Sequence, residues 1–364
     1  MIPLNDLQRH SLAVADDVAA AMTRVAASGW YILGKEVAAF EQEFAAYCGA
    51  SHCVGVANGT DAIELALRAV GVVAGNKVVT VGNAGLYSSI AILSIGAEPR
   101  YVDIDARTML VSTEKLARLD LSGVAAIVAT HLYGQLADME SILAVAAKHA
   151  IPVIEDCAQS HGAMRGGKRA GSFGTLGCFS FYPTKNLGAA GDGGAVTGND
   201  AALVERLKQL RQYGWSKKYT ATLPGGRNSR LDEMQAAILR AKLPRLDGWN
   251  ARRRAIGAIY GARIRHPEVR VERTADESDV FHLYVVRARQ RDSLAAHCRE
   301  QGVGTDIHYP IADHLQPILA GRFPGAALEE TRRACDEVLT LPCFPEMSDA
   351  QAHAVADAVN SWRP

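Results

Sequence analysis

Between residues 36 and 198 the chain alternates short apolar runs with segments of helical spacing, and few folds accept that alternation. "EVAAFEQEFAAY" (36–47) repeats apolar residues at helical intervals. "HCVGVANGT" follows as a strand ending in a Gly turn, and "DAIELALRAVG" as a helix that Gly71 closes. The pattern then recurs. "KVVTVG", "PRYVDID", "VAAIVATH" and "PVIEDC" read as strands, with "YSSIAILSIG" and "DMESILAVAAKHA" as helices among them; "LGCFSFY" and "GGAVTG" add two further strands. Strands that are apolar along their length suit a sheet covered on both faces, and helical crossovers make neighbouring strands parallel. The expectation is an α/β fold built on a mainly parallel sheet.

The character changes after about residue 240. "LPRLDGWNARRRAIGAIYGARI" reads as a long Arg-rich connecting helix. Behind it come "FHLYVVRA" and "TDIHYP" as strands, "RDSLAAHCREQG" as a helix and "DAQAHAVADAVNSW" as a final helix. That is a smaller α+β unit. The 364 residues therefore divide into a large domain, 1–245, and a small C-terminal domain, 246–364. No internal repeat or low-complexity tract interrupts either.

Lys plus Arg equals Asp plus Glu at 39 each, without the basic excess of a nucleic-acid binder. The seven cysteines form no C-x-x-C pair, which favours free thiols and a reducing cytoplasm. The N-terminus lacks the basic-then-apolar pattern of a signal peptide, and no apolar run is long enough to span a bilayer. The expected setting is cytoplasmic, with no membrane and no nucleic acid.

Three stretches could carry chemistry. In "NGTDAIELAL", Gly59 and Thr60 open a helix after a strand. Free N–H groups and the positive dipole end make such a start attractive to phosphate, and Gly59 permits close backbone approach. The plainer reading is a capped helix, with Thr60 or Asp61 as the cap. In "VIEDCAQSHGA" a strand delivers Asp156 to its C-terminal end, where ligands of open α/β sheets sit. Asp156 could cap, pair, bind a metal or hold a proton on a ring nitrogen. His161 has no second His at ligand spacing, so no metal site is expected. In "SFYPTKNLG" Lys185 stands in an apolar, Gly-rich setting. It is a surface charge on a turn, or an amine whose charged form burial disfavours and which becomes nucleophilic.

Together the three suit one cofactor, pyridoxal phosphate. It needs a lysine for a Schiff base, an acid at the pyridine nitrogen and an anchor for phosphate. Lys185, Asp156 and the Gly59–Thr60 helix start match those needs. Gln159 could meet the ring hydroxyl, and Lys185, once freed, could act as general acid and base.

Those motifs, with "HLYGQLADM", "FGTLGCFSFYPTKNLGAAGDGGAV", "RNSRLDEMQAAIL" and "HYPIADHLQP", make the chain similar, over nearly its whole length, to the DegT/DnrJ group of sugar aminotransferases. These are pyridoxal-phosphate enzymes of fold type I that act on nucleotide-linked ketosugars. The resemblance implies a seven-stranded, mainly parallel sheet in the large domain. It implies that Gly59, Thr60 and Ser180 hold the cofactor phosphate, that Asp156 meets the pyridine nitrogen and Gln159 the ring oxygen, and that Lys185 carries the cofactor. It implies that Asn228 reaches the partner's phosphate across an isologous homodimer with shared active sites. Tyr182, His308, Tyr309 and His314 become candidates for the sugar and diphosphate. Where many relatives have "P-A-N-T-F", with an aromatic stacked on the ring, this chain has "VGNAGLYSS"; Tyr87, in a shifted register, is the stacking candidate.

"GTDA" and "HYP…HLQ" resemble relatives that aminate C3. The implied reaction moves an amino group from L-glutamate to a 3-keto-6-deoxyhexose, most simply dTDP-linked, for amino sugars of a surface polysaccharide or natural product. A 4-keto or cyclitol (scyllo-inosose type) transaminase and a non-catalytic regulatory homologue are the alternatives. Lys185 argues against a sugar dehydratase, where histidine replaces the lysine.

Overall fold

A computed structural model describes residues 1–273, 275–323 and 327–364. The first apolar runs pair as the sequence suggests. Strands β1 (His52–Val56), β2 (Lys77–Thr80), β3 (Glu98–Tyr101), β4 (Val124–Thr130) and β5 (Val153–Asp156) are joined in one sheet by later strands. A short hairpin, β6 (Met164–Arg165) with β7 (Lys168–Arg169), precedes β8 (Leu176–Ser180) and β9 (Gly194–Gly198). The seven-stranded sheet runs β1-β9-β8-β5-β4-β2-β3. Pairs β2–β3, β2–β4, β4–β5 and β5–β8 are parallel. β9 is antiparallel to β8 and to β1.

Helices cover both faces because strand residues are apolar in both directions. Ahead of β1 lie α1 (Leu7–Ala13), α2 (Ala15–Ser28) and α3 (Lys35–Cys48). Next come α4 (Gly59–Ala69), α5 (Tyr87–Ser94), α6 (Thr113–Arg118), α7 (Met139–Ala147), α8 (Ala201–Leu210) and α9 (Glu233–Lys242). Val78, Ala126, Val128, Ile154 and Cys178 pack against α4, α5 and α8 on one face. Val79, Ile127 and Ala129 face α6 and α7 on the other. Further along that face, Phe179 and Ala195 meet Phe40 and Phe44 of α3. Gly71, one residue past the cap of α4, has φ +92°, and its N–H bonds Arg68 O at 3.1 Å, as the C-terminal glycine reading required.

After a two-strand ribbon, β10 (Trp215–Lys217) with β11 (Thr220–Ala221), the remaining chain builds a second core. It comprises α10 (Leu246–Arg263), β12 (Tyr284–Arg287), α11 (Arg291–Glu300), α12 (Glu329–Glu337), β13 (Val338–Leu341) and α13 (Asp349–Ser361). Ile256, Tyr260, Tyr284, Leu294, Leu339, Val355 and Trp362 fill it. "TDIHYP" is not a strand. Asp306 makes a single bridge to Thr340, and then the Tyr133 hydroxyl donates to His308 O at 2.5 Å and Pro310 offers no N–H. β12 pairs instead with β13, antiparallel, a strand that periodicity does not reveal because all four of its residues are buried. Among the described residues no helix is long and apolar enough to cross a membrane.

Candidate active site

Because β4, β5 and β8 run parallel, Thr130, Asp156 and Ser180 end up together at their carboxyl ends. Thr130 pairs with Asp156 in register. A cavity of about 840 Å³ opens there, lined by the start of α4, by the turn that carries Lys185 and by residues 306–309 and 340–341 of the second core. Tyr182 and Tyr87 stand at it half-exposed, each at 53 %.

α4 begins at this cavity. Asn58 is extended, and its side chain accepts from Asp61 N at 2.8 Å. Asn58, rather than Thr60 or Asp61, is thus the cap, worth about 1 kcal/mol. The cap leaves the first-turn N–H groups of Gly59 and Thr60 beside the cavity, without helical acceptors. A Cβ on residue 59 would lie 2.6 Å from Ser180 Cβ, so only glycine lets the helix start touch the end of β8.

Asp156 is buried, and its hydrogen bonds are long. Ser88 Oγ donates at 3.2 Å and Thr130 Oγ1 at 3.4 Å to Oδ2; Ala158 N donates to Oδ1 at 3.2 Å. Such lengths leave accepting capacity toward the cavity. Lys185 lines the same cavity, on a turn where its N–H bonds Tyr182 O at 2.8 Å. The residue as a whole is half-buried, while its amine is withdrawn from solvent. Burial pulls its pKa down to about 8, against the opposing charge of Asp156. The shift makes the unprotonated, nucleophilic amine far more populated near neutrality than in an ordinary lysine.

Gln159 is buried behind this pair. Its Oε1 accepts from Tyr133 N at 2.6 Å and its Nε2 donates to Tyr309 Oη at 3.1 Å, leaving one amide hydrogen uncommitted. The Tyr309 ring meets Tyr87 edge-on, with centroids 6.0 Å apart. It also lies so close over Gly85, at φ +77°, that a Cβ there would come within 2.9 Å of the ring. His308 lines the cavity, and its Nδ1 is 2.9 Å from Thr340 Oγ1.

Two expected residues lie elsewhere. His314 does not line the cavity: it is buried against Gly82 and Tyr101, and Asp313 beside it turns inward to bind Leu86 N and Ser89 Oγ. Asn228 is exposed and outside the cavity of its own chain, paired with Gln212. Ser88, Thr130 and His282 line or back the site without having been singled out from the sequence. Strand register alone exposes Thr130: a strand ending in Thr lies in step with one ending in Asp.

On the other face of β5, Glu155 accepts from His131 Nε2 (3.0 Å), Gly171 N (2.9 Å), Phe173 N (2.8 Å) and Gly174 N (2.7 Å). Ala137 N donates to His131 Nδ1 at 3.1 Å, so the imidazole is the tautomer with its proton on Nε2. Ligand-type atoms of His131, Glu155 and Cys157 lie within 4.8 Å of one another, yet the imidazole and the carboxylate are already spent on these bonds. His161 is buried beside Phe179 and Phe181, and burial, with the charge of Lys185, pulls it far from the charged form, to about 3.

Residues 13–360 match the model of the DegT/DnrJ/EryC1/StrS aminotransferase family. The chain is 46% identical over 363 residues to the dTDP-3-amino-3,6-dideoxy-alpha-D-galactopyranose transaminase of Aneurinibacillus thermoaerophilus, covering 100% of this chain and 99% of that protein. It is 40% identical over 364 residues to a dTDP-3-amino-3,4,6-trideoxy-alpha-D-glucose transaminase of Streptomyces venezuelae, with 99% and 96% covered. The crystal structure of S. venezuelae DesV in complex with a ketimine intermediate superposes with a TM-score of 0.96 at 40% identity, covering 99% of this chain and 98% of that one. The chain belongs to the DegT/DnrJ/EryC1/StrS aminotransferase family.

Proposed function

We propose that this aminotransferase moves the amino group of L-glutamate to a 3-keto-6-deoxyhexose carried on dTDP. The observation that carries the reading is the enclosed amine of Lys185, in one cavity with Asp156 and the Gly59–Thr60 helix start.

The cofactor is pyridoxal 5′-phosphate. The residues fit it. First-turn N–H groups with no internal acceptor suit a phosphate, and Ser180 Oγ lies against them. A buried carboxylate with only long hydrogen bonds suits a protonated ring nitrogen. When bound, the cofactor supplies an electron sink for the carbanion at the substrate's reacting carbon. Lys185 holds it covalently, then takes the proton from Cα of glutamate and later returns a proton at the aminated sugar carbon. Asp156 keeps the ring nitrogen protonated, and the spare amide hydrogen of Gln159 serves the ring oxygen. Tyr87 covers the ring. Tyr182, His308 and Tyr309 orient the sugar at the mouth.

Asn228 belongs to the same reading. It faces outward, and in a homodimer it serves the partner's phosphate. The division into 1–245 and 246–364, the cytoplasmic setting and a role in surface-polysaccharide or natural-product amino sugars complete it. Support for C3 and for dTDP comes from the names of the relatives above. A UDP-N-acetyl-3-dehydro-alpha-D-glucosamine 3-aminotransferase of Acidithiobacillus ferrooxidans, 38% identical over 364 residues, makes UDP the competing carrier.

The test is a panel of dTDP- and UDP-linked 3-keto and 4-keto sugars, generated in situ with glutamate. Mass and NMR identify the aminated carbon. Turnover of the dTDP-3-keto sugar, at least tenfold preferred, is expected. Preference for a 4-keto sugar or a UDP carrier overturns that substrate, and turnover of none of them overturns the sugar reading.

A further inference from the structure

Two buried histidines feel the charge of Lys185, and they differ in what their ring nitrogens meet. Both nitrogens of His161 are sealed from solvent and have no hydrogen-bond partner. His282 is only 7 % exposed, but it lines the cavity. Its Nδ1 lies 3.1 Å from Asn186 Oδ1. Its Nε2 has no partner among the described residues and, unlike the nitrogens of His161, is not sealed, so it opens on the cavity.

The state of that open nitrogen is set from behind. Val280 O can only accept, so Asn186 turns its Nδ2 toward it, at 3.0 Å. Asn186 Nδ2 also donates to Asn250 Oδ1 at 2.9 Å, and Asn250 Nδ2 in turn donates to His161 O at 2.8 Å. Asn186 Oδ1 is thereby left to face the imidazole. An amide oxygen only accepts, so Nδ1 of His282 carries the ring hydrogen. Burial, with the charges of Lys185 and Arg253 and the nearby His161 and His308, keeps the ring neutral. Nε2 is then an acceptor and nothing else. A buried acceptor held this firmly and left open to a cavity calls for a donor from outside the chain.

The chemistry of what enters the cavity narrows that donor. The Lys185 amine shares the cavity but makes no hydrogen bond to His282. The cofactor offers a phosphate, which accepts, and its ring nitrogen and ring oxygen have Asp156 and Gln159. Glutamate brings carboxylates, which accept, and an amine that it gives up in the transfer. The sugar remains, and its hydroxyls donate. A 3-keto-6-deoxyhexose carries hydroxyls on both carbons that flank the ketone. We infer that His282 is a specificity-determining residue for the ketosugar: its Nε2 accepts a hydrogen bond from one hydroxyl on a carbon next to the ketone. The bond selects sugars that carry this hydroxyl and turns the keto carbon toward Lys185. No proton passes to His282, and no covalent bond forms or breaks there. The inference rests on the ketosugar reading and adds to it the group that recognises the hydroxyl.

The test uses full-length holoenzyme, wild type beside His282→Gln and His282→Leu. The sugars are a dTDP-linked 3-keto-6-deoxyhexose and its 2-deoxy and 4-deoxy forms. Glutamine places an amide oxygen at the reach of Nε2; leucine keeps bulk alone. With saturating glutamate, kcat/KM is read as the ratio of parent to deoxy sugar within one enzyme, so a variant that folds poorly still gives its ratio. Wild type should prefer the parent to one of the deoxy sugars by about tenfold or more. That ratio should fall to within about twofold of unity in His282→Leu and stay at about threefold or more in His282→Gln. Calorimetric binding of the matching 3-amino products, to holoenzyme aminated with glutamate and then freed of it, should show the same pattern. A wild type indifferent to both hydroxyls overturns the inference. So does a ratio that survives in His282→Leu, a preference seen in rate but absent from binding, or a loss in His282→Gln as full as in His282→Leu, which marks packing alone. If wild type aminates none of the three sugars, the ketosugar reading itself fails, and the inference with it.

Discussion

Glu155 and Asp156 are consecutive residues of β5, both buried, and they point to opposite faces of the sheet. Glu155 receives four donors at 2.7–3.0 Å, three of them from the backbone of 171–174. Asp156 receives three at 3.2–3.4 Å and looks onto a cavity that also holds an amine. Burial does not separate the two, nor does chemistry, for both are carboxylates. Saturation does. A carboxylate whose lone pairs are all met by its own chain ties structure together, and one left short of donors awaits a ligand. Glu155 fastens the loop into β8 and so fixes where Ser180 lies; Asp156 keeps its remaining capacity for something the chain does not supply.

The sharpest way to break this contrast is to remove each carboxylate. Asp156→Ala should lower kcat/KM about a thousandfold or more, the scale seen when one member of a catalytic unit is deleted. Its unfolding free energy should stay within about 1 kcal/mol, because the bonds lost are long and the site is open to water. Glu155→Ala should do the reverse. Four buried donors lose their acceptor, and stability should fall by about 3–5 kcal/mol, with kcat of the folded fraction within about threefold. Denaturant unfolding and steady-state kinetics on both variants measure this. Equal effects on stability and rate in the two variants would dissolve the distinction.

The sequence singled out Asp156 but gave Glu155 no role, and the limits of what it showed have physical causes. The strands of the large sheet were visible because most are short apolar runs set between helical segments; β3, at the sheet edge, alternates instead. Asp156 and Lys185 stood out because charged residues are out of place in such surroundings. Periodicity, however, reports burial and not pairing. "TDIHYP" has strand-like alternation but leaves the sheet after one bridge, while β13 has no alternation and pairs fully. The cap of α4 went to Asn58 because that residue is extended just before the helix, a backbone fact. His314 looked like a ligand by motif, yet its neighbour Asp313 is what the loop uses. The orientation of Asn186 depends on partners 64 and 96 positions away, which no local pattern encodes.

Asp313 extends the comparison to a third buried carboxylate, intermediate between the other two. It accepts from Leu86 N at 2.8 Å and Ser89 Oγ at 2.7 Å, and so anchors the start of α5 from outside that helix. Those two donors do not offset its burial, which raises its pKa from 3.8 to about 6. The folded chain thus keeps this proton at pH values where the unfolded chain has lost it. Stability from this group is full below about pH 4 and falls as pH rises through about 6, by about 3 kcal/mol at most. Asp313→Asn has no such proton to lose. Measured by urea unfolding, the variant should gain on wild type between pH 4 and 7, and then run parallel to it. A difference between the two that is flat across that interval would mean Asp313 is ionised throughout.

The smallest effect belongs to Tyr87, on the rim of the unsaturated side. Its ring is half-exposed and meets Tyr309 edge-on, at 75°. Tyr309 is held from two other directions, by Gln159 at its hydroxyl and by the bare backbone of Gly85 beneath its ring. An aromatic pair of this kind contributes about 0.5–1.5 kcal/mol, and the ring's exposure argues for the lower part of that range. Tyr87→Ala should therefore weaken pyridoxal 5′-phosphate about two- to fivefold, read by fluorescence titration of cofactor-free protein, with unfolding unchanged. Tyr87→Phe keeps the edge contact and should bind within about twofold of wild type. If the alanine variant binds as wild type does, the ring cover comes from Tyr309 alone, and Tyr87 belongs with the exposed surface rather than the site.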